Sequence, residues 1–387
     1  YCLSPSPSIL QTYACTVHGD LNISVFEINI MELPVKDNQS VQYCFYPGNI
    51  SFLLETKLYM CLYIFSALTV LLTVSGNLFV IISISHFKQL HTPANVVVVS
   101  LAVADFLIGL IIMPFQFSSA IESCWYFGDK LCTCLNGLYL FLTSASVSSL
   151  VFISLDRYLA VCNPFFYNAK VTIYKTVFIV LLSWLSSLWY ILAYMNSDGN
   201  YIRRDCVGDC YFVFTAAWGL ADLFCTFILP FSIMTCLYAR IIMIASRHAK
   251  AINFVIEKEN STQNRKSKIP KSEKKAAKTL GIVVAIFMLC WLPYLLMTVV
   301  LEYIPYASKA LNQYHDGLGF ISLINSGLNP IIYALFYPWF RKSLKIMLSC
   351  KIFSPGTSTL NLFPNSICTC SCGCDRSQLL HLVSCGM

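Results

Sequence analysis

Apolar residues fill this chain in long runs separated by short polar stretches. Seven of these runs, approximately residues 58–86, 94–121, 132–161, 174–195, 211–243, 275–303 and 314–336, are long enough to be read as spans, because a helix needs roughly 20 residues to cross the hydrocarbon of a bilayer. Every backbone polar group in lipid needs an internal partner, so such runs form helices. The pattern predicts an all-α membrane protein built as a seven-transmembrane helix bundle. Residues 1–57 form a segment before the bundle, 58–338 the bundle itself, 339–350 a short amphipathic eighth helix, and 351–387 a structureless tail. The first residue is Tyr1, and Met31 is read as the native start, with residues 1–30 arising from gene modelling or an upstream exon.

Composition agrees with this reading. Of 387 residues, 57% are hydrophobic and 12% charged, whereas soluble chains carry about 25% charged residues. The net charge of +7 is no sign of nucleic-acid binding, because the basic residues cluster between spans. Those from Arg247 to Lys275, and Arg341, Lys342, Lys345 and Lys351 after the last span, predict cytoplasmic segments by the positive-inside rule. The N-terminus is then extracellular, the C-terminus cytoplasmic, and the chain a multi-pass protein of the plasma membrane. Sequons at Asn22, Asn38 and Asn49 all precede the first span and are candidate glycosylation sites. A fourth, at Asn260, falls in the basic loop and is expected to stay unmodified.

Most of the 19 cysteines read as apolar filler. Cys44, Cys132, Cys206 and Cys210 lie on the expected outer face, where the oxidising exterior lets bridges form; spacing alone does not fix their pairing. The Cys-Thr-Cys-Ser-Cys-Gly-Cys run from Cys368 to Cys374 reads as tail rather than as a metal site. Cys350, after the amphipathic basic segment, is a candidate for palmitoylation.

One charge stands apart. Asp222 lies inside the fifth run, with no Lys or Arg between Tyr211 and Pro230 to neutralise it. A charged side chain near mid-membrane costs roughly 2.5–3.5 kcal/mol on the lenient insertion scale. Asp222 is therefore a candidate anchor for a cation that arrives from outside the chain; the alternative is an internal hydrogen bond to a tyrosine or serine.

Three short motifs fall on successive spans: Asp156-Arg157-Tyr158 ends the third, Trp291-Leu-Pro293 lies in the sixth, and Asn329-Pro330-Ile-Ile-Tyr333 in the seventh. With Asn77, Asp105, Trp184 and Pro230 in other spans, the chain resembles a rhodopsin-like (class A) G-protein-coupled receptor. The stretch from Asn325 to Phe340, with Cys-Val-Gly-Asp-Cys at 206–210, is similar to trace amine-associated receptors. The resemblance implies bridges Cys132–Cys210 and Cys44–Cys206, and a heterotrimeric G protein, of the stimulatory type, as partner. It implies a G-protein switch of Asp156, Arg157, Tyr238, Glu273 and Tyr333. Arg157 would pair with Glu273 across the inner ends of spans three and six, and Pro293 would let span six bend. It also implies an allosteric sodium site at Asp105, Ser146, Asn325 and Asn329, with Asn77 and Ser326 nearby; no cofactor is required, and no other metal is expected.

The chain departs from the family at the ligand site. The acid that most members place on span three, eighteen residues before the Arg of Asp-Arg-Tyr, is here Tyr139, and their supporting Tyr on span seven is Leu323. Some fish members resemble this chain in placing an acid at the position of Asp222. The expectation is a small amine with its ammonium on Asp222, aromatic faces from Tyr139, Trp291 and Tyr294, and secondary polar contacts from Thr143 and Thr226. Of the acids nearer the mouth, Glu302, Asp316 and Asp209, none is well placed for a second amine, so a monoamine is expected first. An olfactory amine receptor signalling through cAMP is the leading reading. A class A receptor for a lipid or peptide is the alternative. A transporter ranks last, since inverted repeats and broken half-helices are missing, and the chain carries no nucleophile–base pair of an enzyme.

Overall fold

The computed structural model describes residues 52–122, 125–197, 201–203, 210–213, 216–259, 271–302 and 309–362. Among them are seven helices long and apolar enough to cross a membrane: Lys57–His86, Pro93–Glu122, Asp129–Cys162, Ile173–Met195, Trp218–Ile244, Gly281–Leu301 and Gly317–Phe336. These are spans one to seven below. Asn22, Asn38, Asn49, Asn260, Cys44, Cys206 and Asp209 lie outside the described residues, as do the side chains of Glu273, Glu302 and Asp316.

Local chemistry sets several helix boundaries. Spans two and four start behind Thr92 and Thr172, whose hydroxyls accept from the backbone N–H groups of Asn95 and Lys175, satisfying an otherwise orphaned donor. Pro93 takes the first helical position of span two, where its missing N–H costs nothing. Prolines inside spans act differently. Ile108–Ile112 and Leu223–Ile228 are π-helical, and they precede Pro114 and Pro230. A proline cannot donate to the i−4 carbonyl and its ring crowds it, so the ladder just before it re-pairs in a wider turn.

Close approach between spans uses small residues. A Cβ on Gly76 would lie 2.7 Å from Pro330 Cβ, and one on Gly327 would lie 2.6 Å from Thr73 Oγ1. Spans one and seven therefore meet almost backbone to backbone. Serines tie spans two, three and four: Trp184 Nε1 donates to Ser100 Oγ at 2.9 Å, and Ser100 and Ser149 share a hydrogen bond of 2.9 Å. Outward-facing side chains such as Leu71, Leu182, Leu185 and Trp189 stay exposed, as expected of spans that meet lipid.

The structure corrects three boundaries. The predicted fifth run starts too early. Tyr211–Val213 is a strand, paired antiparallel with Tyr201–Arg203 so that Ile202 faces Phe212, and the helix begins at Ala216. An apolar stretch this short does not tell strand from helix by periodicity. The eighth helix runs Pro338–Leu348 rather than 339–350. It buries Trp339, Phe340, Ser343 and Met347 and exposes Arg341, Lys342 and Lys345, the spacing of one buried helical stripe. The tail is structured over residues 351–362, against the expectation of a structureless segment from 351. It makes two short 3₁₀ turns, Lys351–Phe353 and Thr357–Thr359. It then docks Leu362, fully buried, against a cluster containing Val80, Phe87, Leu90 and Trp339. The Leu362 N–H donates to Gln89 Oε1 at 3.1 Å. One leucine with a single backbone bond is too small a signal to stand out in a polar tail.

Candidate functional site

At one end of the bundle, Cys132 of span three is bridged to Cys210, which fixes the strand at Tyr211–Val213 over that end. Below it lie the residues predicted to line the ligand pocket. Tyr139 stacks on Trp291 with ring centroids 6.5 Å apart, and its hydroxyl is 3.5 Å from Ser322 Oγ. Trp291 also meets Tyr294 edge-on at 6.3 Å. Tyr294 stacks in turn on His315 at 4.8 Å, and His315 Nε2 is 3.0 Å from Thr298 Oγ1. Thr143 Oγ1 and Trp291 Nε1 are buried and make no hydrogen bond of ordinary geometry among the described residues. Leu323, at the position of the family's supporting tyrosine, is buried in the apolar cluster with Leu142 and Phe117.

Asp222 lies on the side of span five that faces span four, and Tyr194 beside it is within electrostatic reach of both Asp222 and Tyr294. The Tyr190 hydroxyl donates to Asp222 Oδ1 at 3.3 Å. Around them, Tyr190 and Tyr194 stack at 6.0 Å, and Trp218 meets Tyr194 edge-on at 5.4 Å and Tyr190 at 6.2 Å. Thr226, expected to reach the ligand, turns back on its own helix and donates to the Asp222 backbone carbonyl at 2.7 Å. A threonine hydroxyl inside a helix bonds the i−4 carbonyl readily, and spacing alone does not exclude that choice.

Asp222 immediately precedes the π-helical segment Leu223–Ile228. A residue inserted into a helical turn rotates everything beyond it by about 100° relative to α-helical arithmetic. A helical wheel drawn upward from Pro230 therefore misplaces Asp222 around the helix. The Tyr190 bond is the internal hydrogen bond to a tyrosine that stands as the alternative for Asp222; spacing within span five does not say which span-four residues meet it, although Tyr190 and Tyr194 are four apart on one face and Trp218 is one turn before Asp222.

Mid-bundle, Asp105 is fully buried. It accepts from Asn329 Nδ2 at 2.7 Å and from Ser146 Oγ at 3.3 Å. Asn77 Nδ2 donates to the Ser326 carbonyl at 3.1 Å, while Asn77 Oδ1 is buried with no donor among the described residues. Asn325 and Ser326 are buried beside them. A buried carboxylate with hydroxyl and amide oxygens nearby, one of them an orphaned acceptor, is a donor set that fits a hard cation such as sodium.

At the opposite end, Arg157 bonds Asp156 through both Nε and Nη2. The other Asp156 oxygen accepts from Tyr167 Oη at 2.7 Å, and both burial and the neighbouring carboxylate raise the Tyr167 phenol above its usual range. Tyr167 lies on the short helix Pro164–Lys170 and was not anticipated. Tyr333 is buried and 5.9 Å ring to ring from Tyr337. Tyr238 packs across span six at Gly281.

The family profile "7 transmembrane receptor (rhodopsin family)" matches residues 76–333. The chain is 42% identical over 345 residues to trace amine-associated receptor 13c of Danio rerio, covering 86% of this chain and 99% of that protein. It is 40% identical over 315 residues to trace amine-associated receptor 1 of Macaca mulatta, covering 79% and 92%, and 36% identical over 335 residues to trace amine-associated receptor 4 of Mus musculus, covering 84% and 96%. The chain belongs to the trace amine-associated receptors. It is thus a multi-pass G-protein-coupled receptor and not an enzyme. The receptor keeps the Asp-Arg-Tyr end and the buried Asp105 cluster of the rhodopsin-like pattern, and places Tyr139 and Leu323 where most of the family is expected to hold its amine anchor.

Proposed function

We propose that this receptor senses small amines, monoamines first, and that Asp222 holds the ligand ammonium. The observation that carries this is Asp222 itself. It is an intramembrane carboxylate beside aromatic side chains, and among the described residues the ion pair is Arg157–Asp156, at the other end of the bundle. Such a charge costs free energy when alone and recovers it by pairing in a low-dielectric site. The names of the relatives point to the same ligand class. Tyr139, Thr143, Trp291 and Tyr294 then line the remainder of the pocket, where the buried hydroxyl of Thr143 and the indole N–H of Trp291 offer polar contacts to a ligand tail.

Signalling passes to a heterotrimeric G protein of the stimulatory type and raises cAMP. Arg157, Tyr238 and Tyr333 form the switch, and Glu273 restrains Arg157 until span six moves. Sodium at Asp105, held with Ser146, Asn325 and Asn329, acts as a modulator, its charge offsetting that of the carboxylate. The resemblance supports an olfactory role, the basic segments support an N-terminus outside, and the amine reading remains favoured over the lipid or peptide alternative because Asp222 needs a cation. The test is Asp222→Asn in cells reporting cAMP, screened against a monoamine and diamine panel. Loss of every amine response with normal surface expression is expected. A retained response to the most potent amine would sink the assignment.

A further inference from the structure

The chain beyond the eighth helix holds an apolar side chain in the open. Residues 337–362 carry Arg341, Lys342, Lys345 and Lys351 and no Asp or Glu. Two of these cations are engaged by the protein: Arg341 Nη1 donates to the Ala334 and Leu335 carbonyls, and Lys342 Nζ to the Asn361 carbonyl. Lys345 and Lys351 stay exposed and meet no carboxylate among the described residues. Near Lys351, Phe353 is 88% exposed and Leu348 67%. The loop that presents Phe353 is closed by its own bonds. Cys350, in left-handed backbone at φ 54°, donates its N–H to the Met347 carbonyl at 2.9 Å and reverses the chain as the helix ends. The Ser354 N–H and the Thr357 hydroxyl then both donate to the Lys351 carbonyl, at 3.0 and 3.2 Å, and the docked Leu362 holds the far end. The exposure of Phe353 is thus set by the fold.

The eighth helix starts two residues after span seven ends and turns aside, since Ser343 shares a hydrogen bond of 3.0 Å with Ser83 of span one. It therefore runs across the end of the bundle, level with the lipid headgroups. An exposed apolar side chain there, flanked by lysines, matches a surface with hydrocarbon beneath and charge above. Lysine stems lie along such an apolar boundary while their ammonium groups stay among the headgroups. We infer that residues 351–357 form a loop that dips into the inner leaflet, with Phe353 entering the acyl region and Lys345 and Lys351 meeting anionic phospholipid. This rests on the cytoplasmic placement of the basic segments, the side on which anionic lipid is concentrated. A cytosolic protein over Phe353 is the competing occupant. The run of cations without an acid, continuous with the lipid-facing bundle, favours the leaflet.

The experiment uses the full-length receptor carrying Cys350→Ser, so that no acyl chain on that thiol does the anchoring. It is placed in nanodiscs of phosphatidylcholine alone or of phosphatidylcholine with phosphatidylserine. Hydrogen exchange read by mass spectrometry follows the amides of residues 351–357. Each lysine beside an anionic surface favours the bound loop by roughly fivefold, so two lysines should slow exchange by up to about 25-fold when phosphatidylserine is present. Lys345→Ala with Lys351→Ala should exchange alike in the two lipids, and Phe353→Asp should exchange fast in both. All three side chains are exposed, and unchanged exchange in spans one and seven separates these effects from unfolding. A fluorescent amino acid in place of Phe353 reports depth: quenching by lipids brominated on the acyl chain, with protection from aqueous iodide, is expected in the anionic discs. Equal exchange of the unsubstituted loop in the two lipids overturns the proposal. So does iodide quenching of the probe in anionic discs, which would leave Phe353 to a protein partner.

Discussion

Gly281→Ala is the sharpest perturbation of the switch. Tyr238 lies across span six where Gly281 has no side chain. A Cβ there would sit 3.0 Å from Tyr238 Cε2 and nearer still to Cζ and the phenol oxygen. Carbon atoms rest comfortably at about 3.5–4.0 Å, so the ring must move or the two helices must part. Overpacking of this kind costs about 1–3 kcal/mol. Alanine in place of glycine returns roughly 0.5–1 kcal/mol of helix stability, but that gain accrues to span six wherever it stands. The penalty falls on the arrangement in which Tyr238 and Gly281 touch, and it favours one with spans five and six apart at this level. A shift of one to two kcal/mol changes a two-state ratio by about 5–30-fold. The expected outcome is elevated cAMP without ligand, normalised to receptor at the surface. In Gly281→Ala/Tyr238→Ala the collision is gone, so the effect of the alanine at 281 should largely vanish against a Tyr238→Ala background, a double-mutant cycle. Basal signalling equal to wild type at equal surface expression would refute the reasoning.

Two further outcomes follow from buried contacts. In isolated membranes, replacing KCl by NaCl should lower the wild-type receptor's amine affinity by about 5-fold or more, the lower range of an allosteric coupling, whereas Asp105→Asn should bind equally in both salts; an unchanged sodium dependence in that variant would remove Asp105 from the site. Leu362→Asp should undock residues 351–362 from Gln89 and the Val80–Phe87–Trp339 cluster without unfolding the bundle, so that limited proteolysis cuts the tail sooner while the amine response persists, and equal resistance to cleavage would count against the docked tail.

Much of the fold could be read from the chain because hydropathy is a one-dimensional property. A run long enough to span a bilayer has few alternatives to a helix, and the motifs at Asp156, Pro293 and Asn329 fix the order of spans. What stayed hidden depends on contacts between residues far apart in sequence. Tyr167 reaches Asp156 from a loop helix, and Leu362 reaches Gln89 across 273 positions. The start of span five failed for a different reason: Tyr211–Val213 is as apolar as a helix but is held beside the disulfide at Cys210 and paired as a strand.

The ligand site divides along the same line. Its residues are legible as types: an acid without a counterion at Asp222, and aromatics at Tyr139, Trp291 and Tyr294. Their grouping is not, because the π-helical turn at Leu223–Ile228 lies between Pro230, from which position is counted, and Asp222. Straight helical arithmetic pools all of them into one pocket. The structure instead makes two adjoining groups, Tyr139 with Trp291, Tyr294 and Ser322, and Asp222 with Tyr190, Tyr194 and Trp218, with Tyr194 in reach of Tyr294. With Tyr139 and Leu323 in the other group, the carboxylate available to an ammonium is on the span-four side, where Tyr190 already donates to it, so an arriving amine must share or displace that hydrogen bond.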